Sequence, residues 1–396
     1  RRVLFRSSSV ISGISSSTVG AINSAVVFND GSNVTLDGVT GSLTVQGTHS
    51  VNGYGGIRFG AYGGSSTTPS LTTKGNVTLG TQDASNASLN AGLLMRGGLI
   101  TADTGNLTIK GQATGLAIYL YDGNATIKSN GGSITLNGVA TTSGHGVYFN
   151  SNQVGTLNSG GDVTIIGSGQ GANQGVQFNG GNVRVYGNNV TINGTANTAS
   201  GQTGYGFYSM IGPGAGNTIT AAGNLSITGT LNGAGAGTAV AHTTTSWQNL
   251  VNAYTAGGTL SITGTNNASI SNTSATITMA GVQARAGGDL TVSATTNNAA
   301  ADAISIYSAW YLSGGAAPGY QGGASSFVST GGNTILKSNQ GSIFIQDGVP
   351  NTVTSTAITG KNVIIDNTGG TFTGGVFTAG SGVSSSTSRS GVQIND

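Results

Sequence analysis

The apolar residues of this chain come in short bursts separated by polar and glycine-rich corners. A five-residue word, Gly, then Asn, Ser, Asp or Thr, then apolar, usually Thr or Ser, then apolar, begins at Gly41 (GSLTV), Gly75 (GNVTL), Gly105 (GNLTI), Gly132 (GSITL) and Gly161 (GDVTI). It recurs at Gly181 (GNVRV), Gly223 (GNLSI), Gly258 (GTLSI), Gly288 (GDLTV) and Gly341 (GSIFI), with a mean spacing near 33 residues. A looser word falls between: Gly56 (GIRF), Gly115 (GLAIYL), Gly146 (GVYF), Gly175 (GVQF), Gly204 (GYGF), Gly237 (GTAV), Gly281 (GVQA) and Ala303 (AISIY). From Gly105 to Ala303 the two words alternate. Each has the period-two pattern of a strand, so Leu107, Ile109, Val163, Ile165, Leu225, Ile227, Leu290 and Val292 are expected inside. Thr108, Thr164, Ser226 and Thr291 are expected outside, because a one-residue slip inverts every side chain.

Strands this short bury nothing alone. A word repeated at a fixed period solves that by stacking, with each strand pairing in parallel with its copy one repeat away and the apolar faces closing a narrow interior. The pattern predicts an all-β fold, a single right-handed parallel β-helix (solenoid) of about a dozen turns, the hand following from the crossover rule. Residues 8–396 form one continuous array on this reading. Uneven intervals place loop insertions near 193–222, 242–255 and 303–329, and only Ser246–Tyr254 reads as a short helix.

Composition narrows the classes. Gly 71, Thr 54, Ser 46 and Asn 37 make up over half of 396 residues, and glutamate and cysteine are absent, so a helical enzyme or a disulfide framework is excluded. The formal charge of +2 depends on Arg1, Arg2 and Arg6. The opening heptad RRVLFRS is what a common sequencing-adapter end encodes, so residues 1–7 are expected to be a non-native leader. Without them there is no basic patch for nucleic acid, and no apolar run reaches the roughly 18 residues of a membrane helix.

Candidate chemistry is sparse. Asp162 and Asp289 occupy the slot that Asn takes at Asn106 and Asn224, which points to turn capping rather than to the paired carboxylates of glycoside cleavage. His49, His145 and His242 lie in separate repeats without metal spacing and read as surface or corner residues. No catalytic, metal or cofactor site is expected. Ten Asn-x-Ser/Thr triplets occur, about as many as the composition produces by chance. The aromatics Phe59, Tyr119, Phe149, Phe178, Phe207 and Tyr307 sit in the second word and predict an internal aromatic ladder. The best candidates for surface recognition are Trp247 and Tyr254 in one expected insertion and Trp310, Tyr311 and Tyr320 in another, because both Trp residues lie outside the words.

The words GNVTLG, GNLTIKG, GSITLNG, GDVTIIG, NNVTING and GNLSITG resemble the repeats of large bacterial secreted adhesins of the filamentous-haemagglutinin type, exported by two-partner secretion or as autotransporter passengers. The similarity spans about Asn33 to Asp366, and the NPNG and NPNL motifs of that family's secretion domain do not occur. The resemblance implies a slice of a secreted or cell-surface rod. It implies a non-enzymatic role in attachment to a host-cell or bacterial receptor or glycan, with an outer-membrane secretion partner for the full-length chain. The alternatives are a polysaccharide-processing β-helix enzyme and a purely structural filament.

Overall fold

The computed structural model describes residues 2–5, 9–15, 24–36, 42–49, 55–60, 68–83, 91–121, 125–150, 155–212, 215–244, 250–268, 274–298, 302–307, 325–346, 357–367 and 392–395. These residues form no helix. They build three parallel sheets of twelve strands each, and every winding of the chain gives one strand to the first, second and third sheet in turn. One central winding runs through Val183–Gly187, Val190–Thr198 and Thr203–Ile211. The next runs through Thr218–Ala221, Leu225–Gly233 and Ala236–Thr244, paired strand for strand with the first.

Alternation decides which side chains enter the core. Leu107, Ile109, Val163, Ile165, Leu225, Ile227, Leu290 and Val292 are all buried, while Thr108, Thr164, Ser226 and Thr291 keep solvent contact. The inward Leu, Ile, Val and Phe side chains of the three sheets merge into one core that runs from winding to winding. Each such burial contributes about 1.5–3 kcal/mol, which is how strands of three to nine residues hold together.

Two side-chain columns set the corners. Where the chain enters the second sheet, in five windings a side-chain oxygen accepts the backbone N–H of the same slot in the next winding: Asn76 from Asn106, Asn106 from Ser133, Asp162 from Asn189, Asn189 from Asn224 and Asn224 from Thr259, at 2.8–3.0 Å. Farther along the same strands runs a glycine column, Gly138, Gly167, Gly194, Gly229 and Gly264. A Cβ on Gly194 would overlap the carbonyl oxygen of Gly206, and one on Gly229 that of Ala239. The second and third sheets therefore approach closely only because these positions lack a side chain.

The structure corrects three strand assignments read from the words, one of them GVQA at Gly281, which lies on the first sheet as Val282–Ala286 and not on the third. The slot recurs after 27 residues and then 35 through Asn189, so GNVRV at Gly181 belongs to the first sheet, not the second. GSIFI at Gly341 likewise lies on the third sheet, as Ser342–Gln346. The insertion expected at 193–222 dissolves, because that chain runs through Val190–Thr198, Thr203–Ile211 and Thr218–Ala221. Every strand on every sheet is short, alternating and introduced by a polar corner, so the words alone do not say which sheet a strand joins. In the expected 242–255 excursion, Ala236–Thr244 and Asn252–Ala256 are strands, so the short helix expected over Ser246–Tyr254 does not extend through its last three residues; residues 245–249 lie outside the described residues. The 303–329 region begins and ends in the strands Asp302–Tyr307 and Ser326–Ser329, and residues 308–324 between them lie outside the described residues. Arg2–Phe5, within the expected leader, pairs with Asn33–Leu36 in the first sheet.

Candidate functional site

The second word yields two aromatic arrays on opposite faces of the third sheet. Inside, Phe28 stacks on Phe59 with ring centroids 4.4 Å apart, and Phe149, Phe178 and Phe207 follow edge to face at 5.0 and 5.4 Å. Tyr119 does not belong to that ladder. Strand register pairs Leu120 with Phe149 and Tyr119 with Tyr148, which turns both tyrosines outward. The side chain of Tyr307 lies outside the described residues.

Outside, Tyr119 and Tyr148 stack at 5.1 Å with ring planes 8° apart, and Tyr121 leans on Tyr119 at 5.1 Å. The three rings pack on Leu94 and Leu116, leucines only 4% and 9% exposed. Amides lock the phenols in place. Asn150 Nδ2 donates to the Tyr119 hydroxyl at 3.1 Å, and Asn179 Nδ2 donates to the Tyr148 hydroxyl at 2.9 Å and to Asn150 Oδ1 at 3.1 Å. The Arg96 guanidinium lies 4.8 Å over the Tyr121 ring, a cation–π contact at one edge. At another edge His145 packs 4.5 Å from Tyr148 and its Nδ1 accepts the Gln174 backbone N–H at 3.2 Å. Burial pushes His145 down to about 4, so it is neutral at neutral pH. Burial raises the Tyr148 phenol, so it too stays uncharged. Two windings along, Tyr205 stacks on Tyr208 at 4.8 Å, and the Tyr208 hydroxyl bonds Thr243 Oγ1 at 2.9 Å.

The result is a half-exposed platform of aromatic edges, phenol hydroxyls and amides, with one guanidinium and no carboxylate among the groups named. Such a surface suits an uncharged, hydroxyl-bearing ligand through CH–π contact and hydrogen bonds. The sequence reading missed Tyr121, Tyr148, Asn150 and Asn179. The signal was present in YLY at 119–121 and in YFN and QFN at 148–150 and 177–179, whose strand parity sends the first and third residues outward.

Of the predicted recognition residues, Tyr254 is misplaced. It is 0% exposed, pointing into the core from the first sheet with its ring 5.4 Å from that of His242. His242 is 0% exposed as well, a correction to its reading as a surface or corner residue. The cause is a change in the inward column of the third sheet, where Ser209 follows Phe178 and leaves room for a polar cluster. There Asn217 Nδ2 donates to Ser209 Oγ at 3.0 Å and Ser209 Oγ donates to Asn252 Oδ1 at 2.9 Å. Burial raises the Tyr254 phenol and pushes His242 down to about 3. Trp247, Trp310, Tyr311, Tyr320 and the side chain of His49 lie outside the described residues.

The described carboxylates are mostly engaged by neighbours. Asp162 Oδ1 accepts from the Asn189 backbone and side chain, both at 3.0 Å, bonds that hold its carboxyl below the usual range. Asp289 Oδ1 accepts the Asn333 N–H at 2.7 Å, Asp103 Oδ1 accepts Asn130 Nδ2 at 2.8 Å, and Asp302 Oδ2 accepts the Ser305 hydroxyl at 3.0 Å. Among the described residues no three His, Asp, Glu or Cys side chains come together to hold a metal ion, and no helix is long and apolar enough to cross a membrane. The chain matches no family model, no curated protein and no solved structure.

Proposed function

We propose that this chain is a segment of a non-enzymatic adhesin, secreted or held at a bacterial cell surface, in which a β-helical rod provides reach and its outer face provides weak, repeated contacts. A parallel β-helix serves adhesins and polysaccharide-processing enzymes alike, so the fold alone does not choose between them. The observation that carries the choice is the Tyr119, Tyr121 and Tyr148 platform with its Asn150 and Asn179 amides. It offers stacking surface and hydrogen-bond donors, and its own groups supply no acid and base pair for cleaving a glycosidic bond. The resemblance of the repeat words to filamentous-haemagglutinin-type adhesins supports the same reading, together with a surface receptor or glycan as partner and an outer-membrane secretion partner. Trp247, Trp310, Tyr311 and Tyr320 remain part of the proposal as further contacts.

The test is binding of the purified chain to immobilised neutral glycans and to cells, compared with a Tyr119→Ala/Tyr148→Ala double variant. Each lost aromatic contact is worth about 0.5–1.5 kcal/mol, so the double variant should bind roughly tenfold more weakly while still melting cooperatively, at a lower temperature because Leu94 and Leu116 lose their cover. Unchanged binding by a folded double variant moves the site away from the platform. Release of new reducing or unsaturated ends from pectin or alginate, lost on replacing a single Asp, would overturn the adhesin reading.

A further inference from the structure

The outer face of the second sheet differs from the other surfaces in its regularity. Four successive strands, Val190–Thr198, Leu225–Gly233, Leu260–Asn266 and Leu290–Thr296, read VTINGTANT, LSITGTLNG, LSITGTN and LTVSATT. They pair in unbroken register over the first seven positions of each. Every outward position in that span is Thr, Ser or Asn, so three columns of small hydrogen-bonding side chains run along the rod. Thr228, Thr230, Thr263 and Thr265 lie at the centre of the grid.

This grid is neutral and largely free of internal bonding. In its middle column no charge intervenes between Lys110, three strands before Asn193, and Lys337, which pairs with Ser293 from the strand bordering the grid. Among the described residues, one hydrogen bond joins two side chains of the grid, Ser261 to Thr263 at 3.4 Å. The remaining hydroxyls are open to solvent, each beside an apolar methyl where the residue is Thr. A charged ligand finds no counter-charge here, and a single sugar ring finds neither a cleft nor an aromatic face. What the surface does have is a two-dimensional repeat, about 4.8 Å from strand to strand and about 6.6 Å between alternate residues of one strand. The strand-to-strand distance falls close to an oxygen repeat on a prism face of hexagonal ice, whereas the distance along the strand is shorter than the other repeat, so the fit is along the rod axis. Water held between rigidly spaced hydroxyls and methyls would lie in nearly lattice-like positions, and a bridging water bonds almost as well as a direct contact.

We propose that this face binds ice, through the Thr, Ser and Asn grid of the second sheet from Val190 to Thr296. The site is distinct from the tyrosine platform, which lies on the third sheet, and neither depends on the other.

The experiment is growth of single ice crystals in a solution of the purified full chain, with the gap between melting and freezing points recorded. Faceted crystals and a measurable gap are expected. Thr228→Tyr and Thr263→Tyr, which raise a bulky ring in the middle of the grid, should lose shaping at concentrations where the parent protein still shapes. Thr108→Tyr, outward on the same sheet but outside the grid, should retain it, as should the Tyr119→Ala/Tyr148→Ala variant. Melting curves identify any variant that has unfolded, and Thr228→Lys provides a second central substitution for that case. Round, freely growing crystals with the parent protein overturn the proposal, as does equal loss in Thr108→Tyr. Retention on powdered cellulose or chitin without any effect on ice overturns it in favour of a hydroxylated polymer surface.

Discussion

A single residue on a strand of this rod has its fate set by parity. Leu225 is buried and Ser226, its neighbour, is partly exposed, although both sit in the same LSITG word. Leu225→Asp should therefore cost about 3–5 kcal/mol by placing an unpaired carboxylate in the core, whereas Ser226→Asp should stay within about 1 kcal/mol. Urea titration of both variants tests this, and equal losses would mean the register is wrong. The buried His242 and the half-buried His145 make a second prediction. His145 and His242 titrate near 6.5 when unfolded and near 4 and 3 when folded, so the unfolded chain binds more protons as the pH drops through that window. Stability is complete above pH 6.5 and declines on acidification, by an amount on the order of 3 kcal/mol per histidine once both folded values are passed. His242→Leu should flatten the slope of melting temperature against pH between 6 and 4. A slope identical to that of the parent would contradict a buried, neutral His242.

Elements depend on positions where a side chain is either forbidden or required. The glycine column of the second sheet is the forbidding kind. Gly229→Ala should be strongly destabilising, by several kcal/mol, because its Cβ would meet the Ala239 carbonyl, which is rigid backbone. Gly80→Ala is the matched control, since nothing lies within 4 Å of a Cβ there, and it should be neutral or slightly stabilising. The corner ladder is the requiring kind. Asn224 Oδ1 accepts both the backbone N–H and the hydroxyl of Thr259, at 2.9 and 3.0 Å. Asn224→Leu should cost about 1–3 kcal/mol through the lost partners, and Asn224→Asp much less, because a carboxylate accepts the same bonds as Asp162 does. Thermal melts of the four variants order these effects, and Asn224→Asp as damaging as Asn224→Leu would refute the ladder's role.

At the scale of the whole molecule each winding contacts chiefly its neighbours, so stability should be close to a sum over windings. Removing residues 190–224, one full period of 35 in the corner ladder, joins Asn189 to Leu225 and leaves the order of first, second and third sheets intact. The shortened chain should keep a β circular-dichroism spectrum and a cooperative melt with a modest loss of stability. Removing only residues 190–206 breaks the order of sheets and should abolish the cooperative transition. Equal behaviour of the two deletions would argue against a periodic solenoid.

The sequence by itself determined the fold class, the parallel stacking and the inside or outside fate of residues such as Leu107 and Thr108, because period-two alternation and a repeat length are local properties that any stretch of the chain displays. Asp162 as a corner residue was legible too, since its slot is filled by Asn elsewhere. Sheet membership was not. GNVRV at Gly181 looks like its second-sheet counterparts and joins the first sheet, because what separates them is the number of residues taken by each corner, a quantity set by packing between windings. The candidate platform lay below the same threshold. Tyr119 and Phe149 fall in equivalent words, yet a one-residue difference in register sends one to solvent and the other to the core. Tyr254 shows the converse: it was read as a surface aromatic from its place in a gap between words, and only the room left around Ser209 in the third sheet drew it inside. Local pattern fixes which residues can alternate; the neighbouring windings fix the phase.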